Sequence, residues 1–198
     1  MSSLYAKETL PEGYAESAKI DLVKNKKQMF FVNGLAIVLT ALLIVLGVLI
    51  QPEGASTIFD FENNAMAIAF KCLVICLGSV VYIVGHEAVH GVFMWLYSRK
   101  KPHFGLSFTY AYAGSDMYFA KKPYLVIAIA PLAFWTATLA VLQLLLPAEW
   151  FWVVWFIQIT NISGAAGDLF VFALMLKKPE TVLVQDSGTA MTVYLPQE

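Results

Sequence analysis

Long apolar runs separated by short polar stretches organise the chain. Four of them, residues 29–50, 65–97, 124–146 and 150–176, reach the ~20 residues that a helix needs to cross a hydrocarbon core. The second is longer than one crossing requires, so it is expected to tilt or to project from the bilayer. The first follows a long charged leader and exceeds the ~7–15-residue apolar stretch of a secretory signal, so it reads as a span and not as a cleaved peptide. Between the second and third runs the period changes from helical to two. Phe104, Leu106, Phe108, Tyr110 and Tyr112 alternate with His103, Gly105, Ser107, Thr109 and Ala111, a strand pattern. Gly114-Ser115-Asp116 then supplies a turn and Met117 to Ala120 a returning strand, giving a hairpin over 103–120. The tail repeats the pattern with Val182 and Val184, a turn at Asp186-Ser187-Gly188, and Met191, Val193 and Tyr194. The expected fold is an all-α polytopic membrane protein, four transmembrane helices within 29–176 with a small cytoplasmic β-hairpin layer. A polar leader, 1–28, precedes it and a tail, 177–198, follows. In the leader, Ile20, Leu22 and Val23 are expected to lie on the membrane surface. No internal repeat is evident.

Composition agrees with this pattern, since 59% of the 198 residues are hydrophobic and only 14% charged, against ~25% charged in soluble domains. A net charge of −1 carries little information, but its distribution carries much. Lys24, Lys26 and Lys27 precede the first span, Arg99, Lys100 and Lys101 follow the second, Lys121 and Lys122 precede the third, and Lys177 and Lys178 follow the fourth. The intervening loops, 51–64 and 147–149, hold Glu53, Asp60, Glu62 and Glu149 and no Lys or Arg. Every span therefore predicts a multi-pass protein of the cell membrane with both termini cytoplasmic. Lys71, the one cation within a span, is expected to snorkel toward the acidic loop. The short basic clusters beside apolar runs are a topology signal and exclude nucleic acid as a partner; membrane lipid is the expected surround. Cys72 and Cys76, one turn apart in the second span, read as a pair of buried thiols and not as a disulfide.

The chemistry concentrates at His86-Glu87-Ala88-Val89-His90, an H-E-x-x-H signature inside the second span. One helical turn separates His86 from His90, so both imidazoles can reach one metal ion, and Glu87 stands beside them to take a proton from water. Two imidazoles and a carboxylate are costly within a bilayer unless they are paired or ligating. Catalytic zinc takes three protein ligands and keeps one position open, so a third ligand is required. His103 is the remaining histidine, and Asp116, Asp168 and Asp186 are acidic candidates near the cytoplasmic half. Asp168 is favoured over His103 because it lies within the fourth span, and because depth agrees. His90 precedes Arg99 by nine residues and Asp168 precedes Lys177 by nine, which at 1.5 Å per residue sets both roughly 14 Å from their cytoplasmic anchors. Around Asp168, residues Gln158, Thr160, Asn161, Ser163, Gly164, Ala165, Ala166 and Gly167 form the least apolar part of any span, where small residues allow close helix approach and two glycines permit a locally broken helix. Asn161 either hydrogen-bonds a substrate backbone or developing oxyanion, or makes an interhelical amide bond. Cys72, Cys76, Ser79, Ile83, His86 and His90 share one face of span two, which is expected to turn inward.

With these residues in place, the chain resembles a bacterial family of membrane zincin peptidases of unknown function and, more distantly, the site-2 proteases. The likeness rests on Leu10-Pro11-Glu12-Gly13-Tyr14, on His86 to His90, on the aromatic link after Lys101-Pro102, on Asn161 to Asp168 and on the turn at Asp186. It implies Zn2+ held by His86, His90 and Asp168, Glu87 as base and Asn161 as an aid to substrate. No proline lies between Asn161 and Asp168 and Leu169 follows the Asp, where the site-2 pattern usually has prolines and a glycine. The expected function is a zinc-dependent membrane-embedded peptidase hydrolysing a membrane-tethered or hydrophobic peptide near the cytoplasmic face, with substrate able to add as a strand beside the 103–120 hairpin. The alternative is a non-catalytic or degraded zinc-stabilised membrane scaffold. Three histidines are too few for a multi-histidine di-iron centre, and His86 and His90 on one helix cannot flank a single haem.

Overall fold

The computed structural model describes residues 5–21, 24–53, 61–106 and 111–197, with the side chains of 61–64 left aside. Two short strands, β1 (Ala6–Lys7) and β2 (Tyr14–Ile20), precede helix α1 (Lys26–Ile50). Helix α2 (Phe61–Ser98) leads to β3 (His103–Leu106), β4 (Ala111–Gly114) and β5 (Tyr118–Ala120). Helix α3 (Lys121–Leu145), a single 3-10 turn at Ala148–Trp150, and helices α4 (Phe151–Gly164) and α5 (Ala166–Leu176) follow. Strands β6 (Leu183–Asp186) and β7 (Met191–Pro196) close the described chain. Four helical stretches, Lys26–Ile50, Ala65–Ser98, Lys121–Leu145 and Ala148–Leu176, are long and apolar enough to cross a membrane. Exposed Phe30, Ile37, Leu42 and Leu49 on α1, and Leu73, Val81 and Val84 on α2, suit a lipid surround and mark a membrane protein.

The chain divides into two compact units, one of residues 1–32, 85–131 and 167–198 and the other of 33–84 and 132–166. The first contains all the β-structure described. Its five-stranded antiparallel sheet has the order β1-β5-β6-β7-β2, and β3 pairs with β4 separately. The tail hairpin forms as expected, with Asp186 opposite Met191, and its turn uses Gly188 at φ +77°, a left-handed value that a side chain resists. The other expectations about strands change. Met117 to Ala120 does not fold back on the aromatic strand; β5 joins the large sheet between β1 and β6, and β3 pairs instead with β4, Leu106 opposite Ala111, while 107–110 lie outside the described residues. Both edges of the large sheet come from the leader, so the β-layer is larger than two hairpins. Ile20 is buried in the core beneath that sheet and not laid on a membrane surface, because pairing with Met191 turns it inward; Leu22 and Val23 lie outside the described residues. That core joins Phe119, Val184 and Val193 from the sheet to Met94, Tyr124, Ile127 and Met175 from the helices.

Helix α2 ends where Arg99 takes a left-handed φ of +59° and the Ser98 hydroxyl donates to the Met94 carbonyl at 2.7 Å while accepting from the Lys100 N–H at 3.1 Å. At the end of α5, the Lys121 ammonium donates to the carbonyls of Leu176 (3.3 Å) and Lys178 (2.6 Å), satisfying acceptors that the helix leaves open.

In the second unit, the Trp155 indole donates to the Leu43 carbonyl at 2.9 Å, and Tyr82 packs edge-on against Trp135. Cys72 and Cys76 are exposed free thiols and not buried ones, and Ile83 is exposed with them. The buried face in this half of α2 centres on Ile68 and Tyr82. At 100° per residue, Cys72, Cys76 and Ile83 lie a quarter-turn or so away from it.

Candidate metal centre

The fourth apolar run is not one helix. It breaks at Ala165, beside Gly164, where the Ala165 N–H still donates to the Asn161 carbonyl at 3.2 Å and a new helix begins at Ala166. Asp168 thereby falls in the first turn of α5, where the positive end of the helix dipole favours a carboxylate. Within the first unit it meets the two imidazoles of α2. Asp168 Oδ2 lies 3.0 Å from His86 Nε2, and Oδ1 lies 3.6 Å from His90 Nε2. The two rings are 4.9 Å apart, centroid to centroid, and nearly perpendicular, as a one-turn spacing on a single helix allows.

One atom from each of His86, His90 and Asp168 falls in a group whose members all lie within 4.8 Å of one another. Zinc bonds of ~2.0–2.1 Å at tetrahedral angles set neighbouring ligand atoms about 3.3–3.4 Å apart. The 3.0 and 3.6 Å separations, to the two oxygens of one carboxylate, lie on either side of that edge, and two imidazoles with a carboxylate are a donor set that suits zinc. His86 is buried at 7% exposure.

The surrounding backbone fixes these side chains. His90 Nδ1 lies 2.9 Å from the Ile127 carbonyl, which can only accept, so Nδ1 carries a proton and Nε2 is the nitrogen turned toward Asp168 and the metal position. Glu87 Oε2 accepts the Ala113 N–H of β4 at 2.9 Å, which leaves Oε1 for proton transfer. Strand β4 is held in turn by the tail: the Ser115 N–H donates to the Asp186 carbonyl at 2.7 Å. The Asp186 carboxylate accepts from Tyr124 O–H at 2.6 Å and from the Gly188 N–H at 2.8 Å. Burial pushes its carboxyl above the usual range, against the opposing pull of those two donors.

Of the residues read from sequence, His86, Glu87, His90 and Asp168 come together. His103 lies outside the cluster, exposed on β3 with Nε2 3.4 Å from the Ser187 carbonyl. Asp116 is exposed, and its main-chain carbonyl accepts from the Gln185 amide at 2.9 Å. Asn161 belongs to the other unit, fully buried, with its side-chain amide donating to Thr136 Oγ1 at 2.9 Å and its main-chain carbonyl accepting from Tyr82 O–H at 3.4 Å. Sequence reasoning missed the supporting groups. Ile127 and Ala113 act through main-chain atoms, which leave no residue signature; Pro131 in the middle of α3 was the available signal.

A family model described as "Putative zincin peptidase" matches residues 79–183, a stretch that contains all four clustered residues. No curated protein and no solved structure matches the chain.

Proposed function

From the premise that the chain belongs to the zincin peptidase family matched over residues 79–183, we propose that it is a zinc-dependent peptidase working within the membrane. Its substrate would be a membrane-tethered or hydrophobic peptide, cleaved near the cytoplasmic face. The observation that carries this reading is Glu87 held against the Ala113 amide beside three metal-ligating side chains. A structural zinc site normally closes with four ligands; three ligands plus a carboxylate base favour an open, catalytic one over a scaffold.

His86, His90 and Asp168 would hold the ion, which when bound supplies Lewis-acid activation of water and of the scissile carbonyl. Glu87 takes the proton from the attacking water and returns it to the leaving amine, so that one carboxylate serves as base and then as acid. The Ala113 N–H fixes one Glu87 oxygen and so keeps the other oriented through both transfers. His90, bonded through Nδ1, is held from turning its ring.

Zinc stoichiometry and peptide cleavage, measured on the detergent-solubilised protein, test the reading together. Glu87→Ala is expected to keep full zinc and to lose cleavage by about 10²–10⁴-fold, the usual worth of a positioned base. Cleavage retained in that variant would overturn the mechanism.

A further inference from the structure

Proline within a helix removes one N–H from the ladder, and the carbonyl four residues earlier is left without its helical donor. In α3 that proline is Pro131, fully buried, and the carbonyl four residues before it is that of Ile127. This is the carbonyl that lies 2.9 Å from His90 Nδ1. A carbonyl freed inside an apolar span costs free energy until some group bonds it, and side chains of neighbouring helices are the usual source.

We propose that Pro131 is a positioning residue for His90, acting by withholding the N–H that would otherwise occupy the Ile127 carbonyl. With that acceptor open, His90 keeps its proton on Nδ1 and commits its Nε2 lone pair to the metal position. The same bond sets the tilt of the ring, because Nδ1 and Nε2 lie on opposite sides of the imidazole. Restoring an N–H at position 131 would give Ile127 a donor from its own helix, and His90 would then compete for an acceptor already engaged. Both tautomers of His90 would be populated, and only one of them can ligate through Nε2.

The test uses the full chain in detergent with ¹⁵N-labelled histidine. Three histidines occur in the sequence, so His86→Ala and His103→Ala assign the signals of His90. In the parent, Nδ1 is expected to give the signal of a protonated, hydrogen-bonded nitrogen. Pro131→Ala is expected to shift His90 toward a mixture of tautomers and to weaken zinc in chelator competition by about 10–100-fold, as loss of a ligand's outer partner does. A second replacement uses the α-hydroxy acid counterpart of alanine at 131, which lacks both the proline ring and the N–H. It is expected to restore the parent tautomer and zinc affinity. An unchanged tautomer in Pro131→Ala overturns the proposal. So does a hydroxy-acid variant that behaves like Pro131→Ala, since the ring and its bend would then be what matters. The affinity arm rests on the zinc reading; the nitrogen signals are also read on metal-free protein, where Nδ1 keeps or loses its hydrogen-bonded shift whatever fills the metal position, so a chain that bound no zinc would sink the peptidase proposal and leave this one decided by that signal.

Discussion

Asp168 carries more of the site than its single place in a ligand list conveys. Its two oxygens divide between the two imidazoles, Oδ2 to His86 and Oδ1 to His90. One carboxylate thus lies against both rings, and in the proposed site it would also ligate the ion. Asp168→Ala is expected to lower zinc affinity by more than the ~10–100-fold that the loss of an outer-shell partner costs, measured by chelator competition; full zinc in that variant would remove Asp168 from the ligand set. These residues were legible in the sequence for a physical reason. Charged and imidazole side chains are so costly in an apolar span that each one demands an explanation, and a one-turn spacing supplied it for His86 and His90. The groups that orient them were not legible. The Ala113 N–H and the Ile127 C=O belong to an alanine and an isoleucine whose side chains say nothing of hydrogen bonding, and which backbone group faces which side chain is decided by packing.

Among the elements, helices were easier to read than strand partners. A span declares itself by length, and the break at Ala165 follows from the small residues around it. Alternation from 104 to 112 signals a strand but names no partner, and from Leu106 to Tyr112 it holds no Gly or Asn to mark a turn. Pairing is non-local: β1 has two residues and no sequence signal, yet it lies against β5. The β3–β4 pair reaches the candidate metal centre through packing at Gly91, where an added Cβ would collide with the Phe104 ring and crowd Pro102. Glycine here permits the close approach of β3 to α2, and β3 carries β4 with it through the pairing of Phe104 with Ala113. Gly91→Leu is therefore expected to displace the hairpin and draw the Ala113 N–H from Glu87 while leaving His86, His90 and Asp168 in place. Cleavage should fall at least ~10-fold with zinc stoichiometry unchanged, given that a base must stay within hydrogen-bond reach of its proton. Loss of zinc in that variant would show that the hairpin supports the ligands and not the base.

For the molecule as a whole, one sheet constrains topology more firmly than any count of lysines. Strands β1 and β2 come from the leader, β5 from the link after the second span, and β6 and β7 from the tail, all bonded in the order β1-β5-β6-β7-β2. A bilayer interior offers no partners for strand edges or loops, so an open sheet cannot straddle it. Leader, link and tail must then share one side of any membrane that the helices cross, and an even number of crossings lies between each pair of them. The basic flanks fall on that side, so the positive-inside rule predicts it to be the cytoplasmic one. Single-cysteine labelling checks this. With Cys72 and Cys76 replaced by alanine, Lys101→Cys and Glu149→Cys each place one thiol at an exposed position, the first beside the sheet-bearing link and the second in the turn between the third and fourth spans. A membrane-impermeant maleimide added to intact cells is expected to label Glu149→Cys and to reach Lys101→Cys only after permeabilisation. The reverse pattern would invert the protein and place the site on the outer face. Equal labelling of both in intact cells would mean that the apolar helices between them do not cross, and a peptidase embedded in the membrane would then be untenable.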